Sequence, residues 1–262
     1  MYGVDRLAED LTRLGVERGE TLLVQSSLRS IGPMADGPGT LLEALRRVLG
    51  PEGTVVVYTA TPENSNTSRL ALAPTDGMTP EQSRAYWEAK PPFDRARTPT
   101  SKILGHFSEL VRRHPDAVRS SHPQTSFAAL GSQARELTRR HRWAGHLGQH
   151  SPVQKLYDRG ARALLIGVPV WCCTAFHLAE YLQDDPPMQR YGCVITDPGG
   201  RRRWVHFEAV HLRDEHFEPM ASALETGMPS LLSGTLGDAS CYLLRIAEGV
   251  DVADKFLRGN RS

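Results

Sequence analysis

His177 and Glu180 lie three positions apart in the run Thr-Ala-Phe-His-Leu-Ala-Glu-Tyr-Leu, residues 174–182, whose apolar spacing suits a helix. Positions i and i+3 share a helix face, so the carboxylate can lie against the imidazole. Such a pair can fix the ring's tautomer and stabilise the imidazolium, as a general base requires. The same spacing also suits an ordinary solvated ion pair. Cys172 and Cys173 stand just ahead, and a thiol paired with a His is the make-up of a covalent nucleophile. Free Cys is, equally, among the most buried residue types. His206, Glu208, His211 and His216 form a second cluster, of the kind a metal-dependent hydrolase would use. Neither HExxH nor its inverse is present, and Trp204, His206 and Glu208 alternate as on one polar face of a strand.

These groups need a frame. Ala-Leu-Leu-Ile-Gly-Val, residues 163–168, ended by Gly167 and Pro169, reads as a strand covered on both faces that delivers the His-bearing helix. Upstream, a helix around Asp5–Leu14 leads to a strand at Thr21–Gln25 and then to Ser26-Ser27-Leu28. Gly37-Pro38-Gly39-Thr40 precedes a helix at Leu41–Leu49, with Thr40 as its cap and an amino terminus suited to an anion. Thr54–Thr59 reads as the next strand, Thr61–Pro80 as a long site-lining loop, and Phe107–Arg113 as a helix. Pro198-Gly199-Gly200, between Cys193-Val194-Ile195 and Trp204-Val205, reads as a hairpin tip whose Arg201, Arg202 and Arg203 are solvated. Strands and helices alternate without a repeat, which gives the α/β class.

Thirty-one Lys and Arg against thirty Asp and Glu leave a formal net charge of +1 over 262 residues. That balance argues against a general nucleic-acid or anionic-membrane binder. The first residues lack a signal segment and no stretch of eighteen apolar residues occurs, so a soluble, cytoplasmic protein is expected. Four cysteines, irregularly spaced, make neither a disulfide framework nor a zinc knuckle, and no metal is expected.

Several separated blocks together resemble the antibiotic N-acetyltransferases, the aminoglycoside 3-N-acetyltransferase family, which is distinct from the GNAT acetyltransferases. They are Leu-Leu-Val-Gln-Ser-Ser-Leu (22–28), Gly-Pro-Glu-Gly-Thr (50–54), Phe-Asp-Arg-Ala-Arg-Thr-Pro-Thr (93–100) and Arg-Ser-Ser-His-Pro-Gln-Thr-Ser-Phe-Ala-Ala-Leu-Gly (119–131). Ser-Pro-Val-Gln-Lys-Leu-Tyr (151–157) and Thr-Ala-Phe-His-Leu-Ala-Glu-Tyr (174–181) follow in family order. The resemblance implies a mixed sheet flanked by helices, one domain over 1–262, with an acetyl-CoA-binding part at about 1–182 and an acceptor-shaping part at about 183–262. It implies transfer of acetyl from acetyl-CoA to a small-molecule amine, with His177 as base and Glu180 as its support. Ser26, Ser27 and Leu28, with Thr98, Thr100 and Ser101, match its coenzyme contacts. His122 is a second catalytic candidate, as substrate orienter or as structural anchor.

Two departures bear on the substrate. Gln25 stands where the family usually has His, and Cys172-Cys173-Thr174-Ala175 where it usually has Asn-Asn-Thr-Ser. Asp184, Asp185, Glu208, Asp214, Glu215 and Glu218 suit a polycationic aminoglycoside. Arg201–Arg203 suit instead a phosphate- or carboxylate-bearing amine of a biosynthetic pathway. A member of the family that binds without turnover is a third reading, opposed by the presence of both His177 and Glu180.

Overall fold

A computed structural model describes residues 1–260. Its frame is a seven-stranded mixed sheet. The strands are β1 (Thr21–Ser26), β2 (Thr54–Tyr58), β3 (Val118–Arg119), β4 (Phe127–Gly131), β5 (Arg162–Ile166), β8 (Leu232–Leu236) and β9 (Ala239–Arg245). They run in the order β3-β4-β2-β1-β5-β9-β8, with β1 central and parallel to both β2 and β5. β4 and β9 join antiparallel on either flank. β6 (Met188–Thr196) and β7 (Arg202–Val210) form a separate antiparallel arm.

The apolar runs explain the layering. Leu22 and Val24 of β1 and Leu164 and Ile166 of β5 point into one buried cluster, with the helices Val4–Leu14 and Pro38–Leu49. Leu23, Ala163 and Leu165 point into the other, with Phe176, Leu178 and the carboxyl-terminal helix Ile246–Gly259. Covering on both faces is what near-continuous apolar strands need. The His-bearing segment therefore packs against the sheet by Phe176 and Leu178 and against that last helix at Gly249, where a Cβ would collide with the Phe176 ring.

Two expectations shift in detail. The helix expected at Leu41 begins at Pro38, with Gly37 at its cap position, because proline is preorganised for a first turn. Thr40 lies inside it and its hydroxyl accepts the Asp36 N–H at 2.9 Å. The stretch 61–80 is not a plain loop: it holds the 3-10 turns Pro62–Asn64 and Ala73–Thr75 and a short helix, Arg69–Leu72. Its side chains fasten it to the arm. Asn64 both donates to the Val194 carbonyl and accepts the Val194 N–H, each at 2.9 Å, and Asn66 accepts the Gly192 N–H at 2.6 Å. Phe93 adds a parallel bridge to Ile195.

The carboxyl-terminal third divides between two places. The segment after the arm reaches His177 through Asp214 and Phe217, whereas β8, β9 and the last helix belong to the central sheet and its cover.

Candidate active site

The ends of β1, β2 and β5 open on one side of the sheet. A crevice outside the carboxyl ends of parallel strands, where the chain leaves the central strand in both directions, is where α/β sheets bind ligands. The groups singled out in the sequence lie around this edge.

After β5 the chain makes a 3-10 turn, Thr174–His177, and continues into the helix Leu178–Tyr181. This puts Glu180 beneath His177, with Oε2 2.7 Å from Nδ1. The other carboxylate oxygen accepts the Arg213 N–H at 2.7 Å, which ties the segment after β7 across the pair. The Phe217 ring meets the imidazole edge-on at 4.7 Å. Asp214 brings Oδ1 to 3.3 Å from Nε2, and its side chain is 96% exposed, so it is free to turn toward a bound cation.

Burial works against a charge on His177, but the charges and hydrogen bonds of Glu180 and Asp214 outweigh it and push the imidazole up to about 9. With Nδ1–H committed to Glu180, Nε2 is the ring nitrogen left to exchange a proton. Asp214 lies beside His177, and the sequence offered it only as one of six acids. Asp184 instead pairs with Arg258 at 3.0 Å, Glu215 pairs with Arg213 at 2.6 Å, and Glu208 lies opposite Arg190 on the arm.

The coenzyme candidates gather beside the same edge. Ser26 ends β1, and the Ser27 N–H donates to the Ile166 carbonyl at 2.8 Å. Ser27 occupies the cap position of the helix Leu28–Ile31, and its hydroxyl accepts that of Ser30 at 3.0 Å. The helix Gly105–Arg113 begins against the Ser26 carbonyl. Ser101 joins it to β2, donating its N–H to the Ala60 carbonyl at 2.9 Å and its hydroxyl to Glu63 at 2.5 Å. The Thr100 N–H donates to Glu109, and the Thr98 hydroxyl accepts the Asp94 N–H at 2.8 Å. Arg119, 5% exposed, underpins this loop by donating to the carbonyls of Thr59 and Thr98. Burial draws that guanidinium down to about 9.

His122 is placed differently. It is fully buried, Nδ1 accepts the N–H groups of Gln124 and Thr125, and Nε2 donates to the Trp143 carbonyl at 2.9 Å. Both ring nitrogens are spent on backbone, and burial holds the ring down at about 4. The tilted rings of His141 and His146 pack against it with centroids 4.7 and 4.6 Å away. This is the geometry of the anchor rather than of the orienter.

Burial pushes the Cys172 thiol up and Cys173 to about 12, so neither carries the thiolate that a nucleophile needs. Arg201, Arg202 and Arg203 are exposed at the hairpin tip, Arg201 paired with Asp197 and Arg202 donating to the Trp87 and Lys90 carbonyls. Among the described residues no three His, Cys, Asp or Glu side chains are grouped to hold a metal ion. No helix of the described residues is long and apolar enough to cross a membrane.

Comparison with known proteins agrees with this geometry. The family model for aminoglycoside 3-N-acetyltransferases matches residues 23–258. The chain is 33% identical to the SPbeta prophage-derived aminoglycoside N(3')-acetyltransferase-like protein YokD of Bacillus subtilis, over 98% of this chain and 92% of that one. It is 34% identical to aminoglycoside N(3)-acetyltransferase III of Serratia marcescens, over 98% and 97%. The crystal structure of YokD superposes with a TM-score of 0.91 at 32% identity, covering 99% of this chain and 100% of that one. That of AAC-IIIb in a binary complex with CoASH gives 0.84 at 27% identity, covering 100% and 99%.

Fold and relatives together define an acyltransferase that modifies amines. The chain belongs to the aminoglycoside 3-N-acetyltransferase family.

Proposed function

We propose that this chain transfers the acetyl group of acetyl-CoA to the 3-amino group of an aminoglycoside, with His177 as general base. The observation that carries the reading is the polarised imidazole: Nδ1 held by Glu180 at 2.7 Å, Nε2 turned to the exposed Asp214. A primary amine is mostly protonated at neutral pH and attacks only after losing that proton. In this reading Asp214 draws the ammonium in, one of its protons is lost to solvent to free the amine, and Nε2 of neutral His177 takes a second proton as the nitrogen bonds to the thioester carbon. The tetrahedral adduct collapses, the carbon–sulfur bond breaks, and the proton returns from Nε2 to the departing thiolate. Glu180 keeps the ring oriented and stabilises the imidazolium between the two transfers.

Support for the coenzyme comes from AAC-IIIb, whose structure holds CoASH, and support for the acceptor from the named activity of the Serratia marcescens relative. Ser26, Ser27 and Leu28, with Thr98, Thr100 and Ser101, hold the coenzyme at the ends of β1 and β2. The end of β1 followed by a short helix start at Leu28 presents backbone donors to the pantetheine and phosphates. His122 supports the wall beside them. The reaction takes place in the cytoplasm.

The test is release of free thiol from acetyl-CoA by the purified protein with a panel of amines, His177→Ala serving as control. Release with kanamycin-like compounds that disappears in the variant establishes the proposal. Release only with other amino sugars or phosphorylated amines replaces the acceptor and keeps the chemistry. No release with any amine overturns it.

A further inference from the structure

We propose that Gln25 is a positioning residue for His177, fastening the start of the catalytic segment to the central strand of the sheet. Its carboxamide donates from Nε2 to the Cys172 carbonyl at 2.8 Å and accepts at Oε1 the Thr174 N–H at 2.8 Å. Two bonds of opposite polarity fix the plane of the amide, and no carboxylate or aliphatic side chain can make both. The two places where the sequence departs from its family pattern, Gln25 and Cys172–Ala175, are thus in direct contact.

Thr174 opens the 3-10 turn that ends at His177. The first N–H groups of a helical segment have no partner within it and are ordinarily met by a side chain just ahead. Cys173 holds that cap position and carries only a thiol, a weak acceptor. Gln25 supplies the cap instead, from 149 residues away in sequence. It stands on β1 between Val24, which is buried, and Ser26, and β1 is hydrogen-bonded on both sides. The base is thereby referred to the same strand that carries the coenzyme serines. A displacement of about 1 Å in a reacting group can cost about 10²-fold in rate, so a clasp three residues from the base has leverage.

The inference rests on His177 being the base, and the experiment separates the two. Gln25→Met and Gln25→Glu are compared with the parent by steady-state kinetics and by NMR titration of the His177 ring, which needs no turnover. Gln25→Met is expected to lower kcat about 10- to 100-fold with KM for acetyl-CoA and for the amine within about threefold. The ring should titrate lower because it drifts from Glu180. Gln25→Glu keeps the bond from Thr174 and loses the one to Cys172, so it should recover part of kcat. Unchanged kcat and unchanged titration in folded Gln25→Met overturn the proposal, as does a fall in thermal stability with the titration unmoved. A shifted titration with kcat intact upholds the positioning and removes His177 as the base. If Gln25→Met does not fold, the same two readouts on Gln25→Glu decide.

Discussion

Glu180 grips His177 and the Arg213 backbone at once, one carboxylate oxygen on each at 2.7 Å. Base, support and the segment that covers them are therefore one hydrogen-bonded unit. Replacing His177 by Ala should lower kcat/KM by about 10²- to 10⁴-fold, the usual worth of a positioned base. Glu180→Gln keeps the bond from Arg213 but supplies no charge, so its loss should be smaller. Steady-state thiol release on folded variants checks both, and a His177→Ala enzyme of near-parent activity would remove the base from this residue.

The rate should rise with pH. A ring that titrates at about 9 is mostly protonated at neutrality, so kcat/KM should climb and level off near that value. Asp214→Asn removes one of the two carboxylates and should move the midpoint down. Because Asp214 is exposed, added salt should do so in part as well. The stability contribution of the same ring runs the other way. Its folded value is raised, so the contribution is whole below about 6.5 and is lost as pH rises through about 9. A rate profile centred near 7 would contradict this assignment.

Acid should unfold the protein through its buried histidine cluster. Burial depresses His122 to about 4 and holds His141 and His146 well down, so the unfolded chain binds these protons more tightly. Their contribution is present above about 6.5 and is lost as pH falls toward 4. Urea midpoints measured from pH 7 to pH 4.5 should drop steeply, and a flat series would show that the cluster opens at no cost.

Gly249→Ala should weaken both fold and catalysis. A methyl there meets the Phe176 ring, and overpacking of a dense core costs about 1–3 kcal/mol. Phe176 is the neighbour of His177, so any shift of the ring is passed to the base. The expected result is a lower urea midpoint together with a lower kcat, and parent values of both would show that the core absorbs the methyl.

What could be read from the sequence follows the range of each interaction. The His177–Glu180 pair was legible because helical periodicity is local, and β1, β2 and β5 because strands covered on both faces need continuous apolar runs. Asp214 was visible only as one acid among six, since its placement depends on how the chain returns from the arm. The contact of Gln25 with Cys172 and Thr174 spans nearly 150 positions and has no local signature. The return of β9 beside β5 was hidden for the same reason. His122 stood open between two roles because the residue before a proline says nothing about what its ring meets.

The amides of Asn64 and Asn66 have a consequence for how the molecule behaves in a crowded solution. A two-stranded ribbon leaves an unpaired row of N–H and C=O groups along each side, a template for sticking to a neighbouring chain. Along β6 that row is plugged by two side chains that imitate a strand without being one, with Phe93 closing the next position. At Gly192 and Val194 the β6 side of the arm is thereby closed to a passing strand.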